Sequence, residues 1–241
     1  MEEYRPRPKY AKMLNEALKI INSVKYKPST RWAFYQMVQR GYINKKDVKN
    51  FDYCLSKARK SFYNGWTPDT LSDSIRVAWI RGLHSEPKPE VEDRIIEQDN
   101  YVEIWFEARA MFDQFVHYTR DYYVSLVPFA GDPSIAYKWE IAKRLEDRSK
   151  TYKKPIIILY FGDCDTKGFM IPESAINDIK PWSNIEFKFI RCGLTLDQAK
   201  KYKIPENPDR KGQYQWEALN DKQAGFIIMN NLLKYWKKPS F

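Results

Sequence analysis

The stretch Pro155-Ile156-Ile157-Ile158-Leu159-Tyr160-Phe161, closed by Gly162 and Asp163, constrains the fold more than any other part of this sequence. A strand with one face in water alternates apolar and polar residues. An unbroken apolar run of this length needs cover on both faces, and three successive isoleucines favour strand over helix. Shorter apolar stretches at 102–107, 124–129 and 185–190 read as further strands. Helical patterns lie over 108–119, from Ser134 to about residue 148, and over 195–202. Strands that alternate with helices predict a parallel α/β sheet, and in such sheets functional groups collect at the carboxyl ends of the strands.

The N-terminal third has a different character. Residues 10–24 carry Met13, Leu14, Leu18, Ile20 and Ile21 at helical spacing. Ser29 or Thr30 is placed to cap a second helix over 31–40, which Gly41 ends. A third helix is expected over 47–63, with Phe51, Leu55, Ala58 and Phe62 on one face. Lys45, Lys46, Lys49, Lys57, Arg59 and Lys60 then line its other sides. Two helices joined by a tight glycine turn, the second one basic, have helix-turn-helix form. The turn Gly65-Trp66-Thr67-Pro68 and a strand or helix over 74–81 complete the outline of a winged helix. From His84 the sequence reads Ser85-Glu86-Pro87-Lys88-Pro89-Glu90, whose prolines and alternating charge mark a linker. The expected organisation is a winged-helix domain over 1–85, a linker over 86–100, and an α/β domain over 101–241.

The charge follows the same division. The chain has a formal net charge of +10, yet residues 1–85 hold 17 Lys and Arg against 7 Asp and Glu, and the remainder holds 24 of each. A basic module joined to a neutral one is the footprint of a polyanion-binding domain carrying a second function. Double-stranded DNA is the expected partner, with Lys45, Lys46, Lys49, Lys57 and Lys60 holding the duplex backbone without reading sequence. A solvated helix face is the competing explanation for each lysine. Other classes are disfavoured. No apolar run approaches a membrane span, the N-terminus has no apolar leader, and neither GxGxxG nor GxxxxGK[ST] occurs. Cys54, Cys164 and Cys192 form no CxxC, and His84 and His117 are the only histidines. A cytoplasmic, nucleoid-associated protein is expected, without a disulfide framework or thiolate zinc site.

Chemistry is expected at three carboxylates. Glu107 closes the first strand of the sheet, and Asp163 and Asp165 follow the buried strand in Gly162-Asp163-Cys164-Asp165-Thr166-Lys167-Gly168. Parallel strands end on the same edge, so the three acids are expected to converge there. They then raise one another's pKa unless a cation neutralises them. Oxygen ligands without His or Cys select Mg²⁺ or Mn²⁺, ions that polarise phosphoryl oxygens. The alternative is that Asp163 and Asp165 only cap the following turn.

A strand ending in Glu, followed by a strand ending in Asp-x-Asp-x-x-Gly, resembles the Toprim domain of topoisomerases, bacterial primases and some nucleases. A winged helix ahead of it resembles the A subunit of topoisomerase VI and the meiotic double-strand-break protein. Arg31-Trp32-Ala33-Phe34-Tyr35 matches that family's Arg-x-x-x-Tyr element. Asn64-Gly65-Trp66-Thr67-Pro68, Asp73-Ser74-Ile75-Arg76, Gly131 with Ser134, and Leu194-Thr195 with Gln198 and Tyr202 resemble later elements. The resemblance covers about residues 28–220, and the short length is most similar to the stand-alone Mini-A homologues of mobile genetic elements. Thr166 stands where the family usually has proline, and Ala108 with Arg109 where Lys or Ser commonly follows the glutamate.

The resemblance implies an enzyme that cleaves DNA by Mg²⁺-dependent transesterification. Tyr35 is then the nucleophile, Arg31 stabilises phosphate charge, and Glu107, Asp163 and Asp165 hold the metal, with Glu107 as ligand or proton carrier. It also implies a homodimer whose active site is shared between protomers, and a separate ATPase subunit as a possible partner. Two other functions compete with this one. A hydrolytic Toprim nuclease needs no covalent intermediate, and a catalytically silent DNA-binding replication or transcription factor needs no metal.

Overall fold

The structure, a computed structural model, describes residues 4–24, 28, 30–71, 94–108, 111–207 and 210–238, with Arg31 and Trp32 described by their backbone alone. The chain divides into two compact units, Met1–Val77 with Ser134–Ala142, and Ala78–Pro133 with Lys143–Phe241.

In the first unit three helices surround one core. Helix α1 (Pro8–Asn22) starts on a proline, which fits the first helical turn, where no backbone donor is required. It buries Met13, Leu14, Ala17, Ile20 and Ile21 against Ala33, Phe34 and Met37 of α2 (Thr30–Gln39). Helix α3 (Val48–Lys60) adds Phe51, Cys54, Leu55 and Ala58, and Trp66 and Leu71 close the cluster. Gly41 ends α2 as expected. Its φ of +73° is a left-handed conformation that suits glycine, and the Tyr42 amide turns back to the Met37 carbonyl.

Two side chains of α3 depart from the sequence expectation. Arg59 is 3% exposed and not part of the basic surface, because its guanidinium turns inward to the Pro68 carbonyl. Phe62 lies beyond the helix end at φ 55°, which takes it off the buried face and leaves it exposed. The strand or helix expected over 74–81 and nearly all of the linker lie outside the described residues.

The second unit is α/β. Strands β1 (Tyr101–Phe106), β2 (Ser125–Pro128), β3 (Ile156–Phe161) and β4 (Lys188–Gly193) form an all-parallel sheet in the order β2-β1-β3-β4. Every residue of β1 and β3 is buried, as the unbroken apolar run required. Full burial of each such aliphatic side chain contributes about 1.5–3 kcal/mol relative to exposure. The crossovers are α4 (Phe112–Thr119), α5 (Ile135–Tyr152) and α6 (Thr166–Ser183). Ser134 caps α5 by accepting from the Tyr137 amide at 3.2 Å. Thr195 and Gln198 form a capping box on α7 (Leu196–Lys201).

Helices α6 and α8 (Asp221–Leu232) were not legible beforehand, and β4 begins three residues later than residue 185. Pro172 and Pro181 lie inside α6, and prolines ordinarily end a helix. In α8, a Cβ on Gly225 would lie 2.3 Å from the Tyr118 ring, so the glycine lets α4 and α8 pack closely. Among the described residues, no helix is long and apolar enough to cross a membrane.

Strand β1 carries a buried charge. Glu103 of β1 is fully buried and pairs with Arg144 of α5 at 2.9 Å. Its two oxygens also accept from the Tyr101 hydroxyl at 3.0 Å and the Trp105 indole at 2.8 Å.

Candidate active site

The register of β1 and β3 builds the site. Phe106 pairs with Phe161, and the Glu107 amide donates to the Phe161 carbonyl at 3.0 Å. Glu107 and Gly162 therefore leave the sheet side by side at its carboxyl edge. The Glu107 Oε2 atom accepts from the Asp163 amide at 2.9 Å, so the glutamate and the first aspartate are brought together as the parallel topology demanded. Glycine makes that approach possible. A Cβ on Gly162 would stand 2.6 Å from Glu107 Oε2, and one on Gly168 would stand 2.1 Å from the Asp163 carbonyl oxygen.

The two aspartates take different roles. Asp165 caps α6, with Oδ1 accepting from the Gly168 amide at 2.7 Å, which is the capping alternative realised. Asp163 does not cap the helix. Its Oδ1 accepts from the Trp216 amide at 2.8 Å, and the neighbouring Cys164 exchanges two backbone hydrogen bonds with Tyr214, at 2.8 and 3.1 Å. A segment fifty residues further along thus straps the turn.

Burial dominates the electrostatics. The Glu107 carboxyl is pushed up to about 7, first by desolvation and then by the charges of Asp163 and Asp165. Asp163 is raised for the same first reason, with Glu217 and Asp165 adding to it. The folded state thus binds the Glu107 proton more tightly than the unfolded chain does. Its contribution to stability is complete below the ordinary glutamate value near 4.5 and is lost as pH rises through about 7. Denaturant titrations across that window should show wild type losing stability relative to Glu107→Gln as pH rises. Parallel pH profiles would contradict the assignment.

Sequence reasoning missed Arg191. From β4 its guanidinium donates to the carbonyls of Gly168 at 2.6 Å and of Gly162 at 3.4 Å, and also to those of Asp163 and Leu194. It lies over the Phe169 ring at 4.1 Å and the Tyr160 ring at 5.6 Å. Its partners are main-chain oxygens, which no side-chain pattern announces.

The donors are hard oxygens alone, suited in kind to Mg²⁺ or Mn²⁺. Glu107 Oε1, Asp163 Oδ2 and Asp165 Oδ2 accept no hydrogen bond among the described residues. The buried Tyr160 hydroxyl beside them has no hydrogen-bond partner among the described residues. As the side chains stand, however, no three His, Cys, Asp or Glu among the described residues close on one point to hold an ion.

In the first unit, Tyr35 projects from α2 with 42% of its surface exposed, while Ala33, Phe34 and Met37 are buried. It is therefore not a core tyrosine. Lys45, Lys46, Lys49 and Lys57 are exposed, Lys60 is half-buried, and the Lys57 ammonium lies 5.9 Å from the centre of the exposed Tyr53 ring. The Arg31 side chain and Arg109 lie outside the described residues. Tyr35 and the carboxylates belong to different units. Compared with known proteins, the chain matches no protein-family model and no curated protein.

Proposed function

We propose that this protein cleaves double-stranded DNA by metal-dependent transesterification, with Tyr35 as nucleophile and the carboxyl edge of the sheet as the phosphoryl-activating site. The observation that carries the reading is the junction of Glu107 with the Asp163 turn, made through a 2.9 Å hydrogen bond at the ends of two adjacent parallel strands. The exposure of Tyr35 supports it, as does the resemblance to the topoisomerase VI A subunit, which extends to a winged helix in the N-terminal unit.

The Tyr35 oxygen attacks phosphorus, a phosphotyrosyl bond forms, and the bond to one sugar oxygen breaks. The number of phosphodiester bonds is conserved, so no external energy source is needed. The phenol loses its proton and the departing sugar oxygen gains one. A carboxyl poised near 7, as that of Glu107 is, exchanges protons readily at neutral pH. Glu107, Asp163 and Asp165 are the residues that would hold Mg²⁺ or Mn²⁺ once drawn together, and the ion would supply neutralisation of phosphoryl charge. Lys45, Lys46, Lys49, Lys57 and Lys60 grip the duplex backbone, and the resemblance gives Arg31 the role of stabilising phosphate charge. Because nucleophile and carboxylates belong to different units, a two-fold homodimer in which one protomer's tyrosine serves its partner's carboxylates fits the reading. A separate ATPase subunit would supply strand passage.

The same separation of units favours a second reading, in which the carboxylates direct water and Tyr35 takes no part. Incubation with end-labelled plasmid and Mg²⁺ or Mn²⁺, then denaturation with and without protease, separates the two. Cleaved ends that migrate freely only after protease, and that vanish in both Tyr35→Phe and Asp163→Ala, are the expected result. Free ends that survive Tyr35→Phe establish a hydrolytic nuclease. Binding without cleavage, unchanged by Asp163→Ala, makes the protein a silent DNA-binding factor.

A further inference from the structure

We propose that the ring of Phe169 is a stacking platform for one unpaired nucleobase beside the candidate phosphoryl site; this rests on the DNA-directed part of the reading above, not on its metal or its tyrosine. Phe169 and Met170 are 50% and 61% exposed near the start of α6. The helix packs through other positions, with Gly168, Ile171, Ala175 and Ile179 buried at helical spacing. Folding therefore gives the Phe169 ring no inward role.

The ring is nonetheless held in place. The Arg191 guanidinium lies over it, 4.1 Å from its centre. That guanidinium is fixed in turn by the Gly168 carbonyl at 2.6 Å and by the Asp163 carbonyl. A cation thus covers one face of the ring, while half of the residue's surface is open to solvent. Ordering a loose side chain on binding costs free energy, and here the ordering is done beforehand.

The position restricts what the ring can take. A single guanidinium spans the gap from the ring to the Asp163 turn, so a guest on the ring lies beside the carboxyl edge. Glu107, Asp163 and Asp165 stand at that edge and disfavour an anion. A planar uncharged group meets no such repulsion. The guanidinium behind the ring draws on its π electrons, which favours an electron-rich planar partner, and a nucleobase is one. Within a duplex both faces of a base are covered by its neighbours, so the platform takes a base that has left the stack. The substrate is then DNA with a displaced or unpaired base adjoining the bond to be cut.

The test is equilibrium binding, in EDTA, of a duplex carrying one bulged 2-aminopurine, whose fluorescence falls when it stacks on an aromatic ring. A fully paired duplex of the same flanking sequence is the comparison. The proteins are wild type, Phe169→Ala, Phe169→Leu, Phe169→Trp and Phe226→Ala. Phe226 is 57% exposed on α8 and controls for the loss of a surface ring. Wild type is expected to quench the bulged probe. Phe169→Ala should bind that probe about tenfold more weakly and lose the quench, while binding the paired duplex as wild type does. Phe169→Trp and Phe226→Ala should behave as wild type. Phe169→Leu, which keeps apolar cover over Arg191 without an aromatic face, should behave as the alanine variant. Equal binding and quenching by wild type and Phe169→Ala overturns the platform and leaves the cleavage reading standing. Wild type that quenches the probe yet cuts no plasmid keeps the platform and removes the transesterase. Wild type that binds neither duplex removes both. A dimer that Phe169→Ala dissociates, with the probe still quenched, makes the ring a contact between copies and not a platform.

Discussion

Replacing Glu103 by leucine is expected to destabilise the sheet-bearing unit by about 3–5 kcal/mol, the usual cost of removing one partner from a buried ion pair. The cause is the loss of a buried counter-ion. Arg144 is 7% exposed at its side chain and faces Glu103 at 2.9 Å, so its charge stays buried without that counter-ion. The Tyr101 hydroxyl and the Trp105 indole lose their acceptor at the same time. Because the net stability of a domain is about 5–15 kcal/mol, the loss takes much of the whole. Urea unfolding should show the midpoint falling steeply. The double variant Glu103→Leu with Arg144→Met should recover most of the loss, since an apolar pair of similar volume leaves no charge unmatched. A single variant as stable as wild type would show that the pair is solvated and structurally idle. The comparison also separates the two glutamates of one neighbourhood: Glu103 is committed to packing, whereas Glu107 keeps a free oxygen at the edge.

Gly168→Ala is expected to damage the site about as severely without unfolding the unit. The added Cβ would stand 2.1 Å from the Asp163 carbonyl oxygen and 2.9 Å from its carbonyl carbon, both backbone atoms that cannot swing aside as a flexible side chain does. Either the turn or the first turn of α6 must move. The movement breaks the Asp165 cap and the Arg191 bonds to the Gly168 and Asp163 carbonyls, since all of them meet at this point. Overpacking of this kind costs about 1–3 kcal/mol in stability, and a displacement near 1 Å costs on the order of 10²-fold in rate. The measurement is DNA cleavage alongside a denaturant melt. Gly212→Ala serves as comparison, because that residue has no neighbour within 4 Å of a new Cβ, although its φ of +74° makes an alanine somewhat strained there. Equal cleavage by the two alanine variants would mean that the turn is not part of the chemistry.

The parallel sheet was legible because its signals are local. An unbroken run such as Ile156 to Phe161 has no stable home except between two layers, and strand ends in a parallel sheet share an edge, so Glu107 could be matched to Asp163 across some fifty-five residues. Other features depend on contacts that no spacing encodes. Arg59 looks like one more cation on a basic helix until the Pro68 carbonyl is seen to claim it. Arg191 reads as a strand residue of no special kind, since its partners are main-chain oxygens present in every sequence. Helix α6 was hidden by the prolines it tolerates. The role of Trp216 was equally hidden, because what it offers Asp163 is a backbone amide.

The strap also sets an order of events during synthesis. All four strands of the sheet are complete by Gly193, whereas the amide that orients Asp163 belongs to Trp216. A ribosome-bound chain can therefore finish its sheet while the aspartate is still without that partner. The carboxyl edge reaches its final form only after residues 214–218 have emerged and closed on the turn, later than the sheet that carries it.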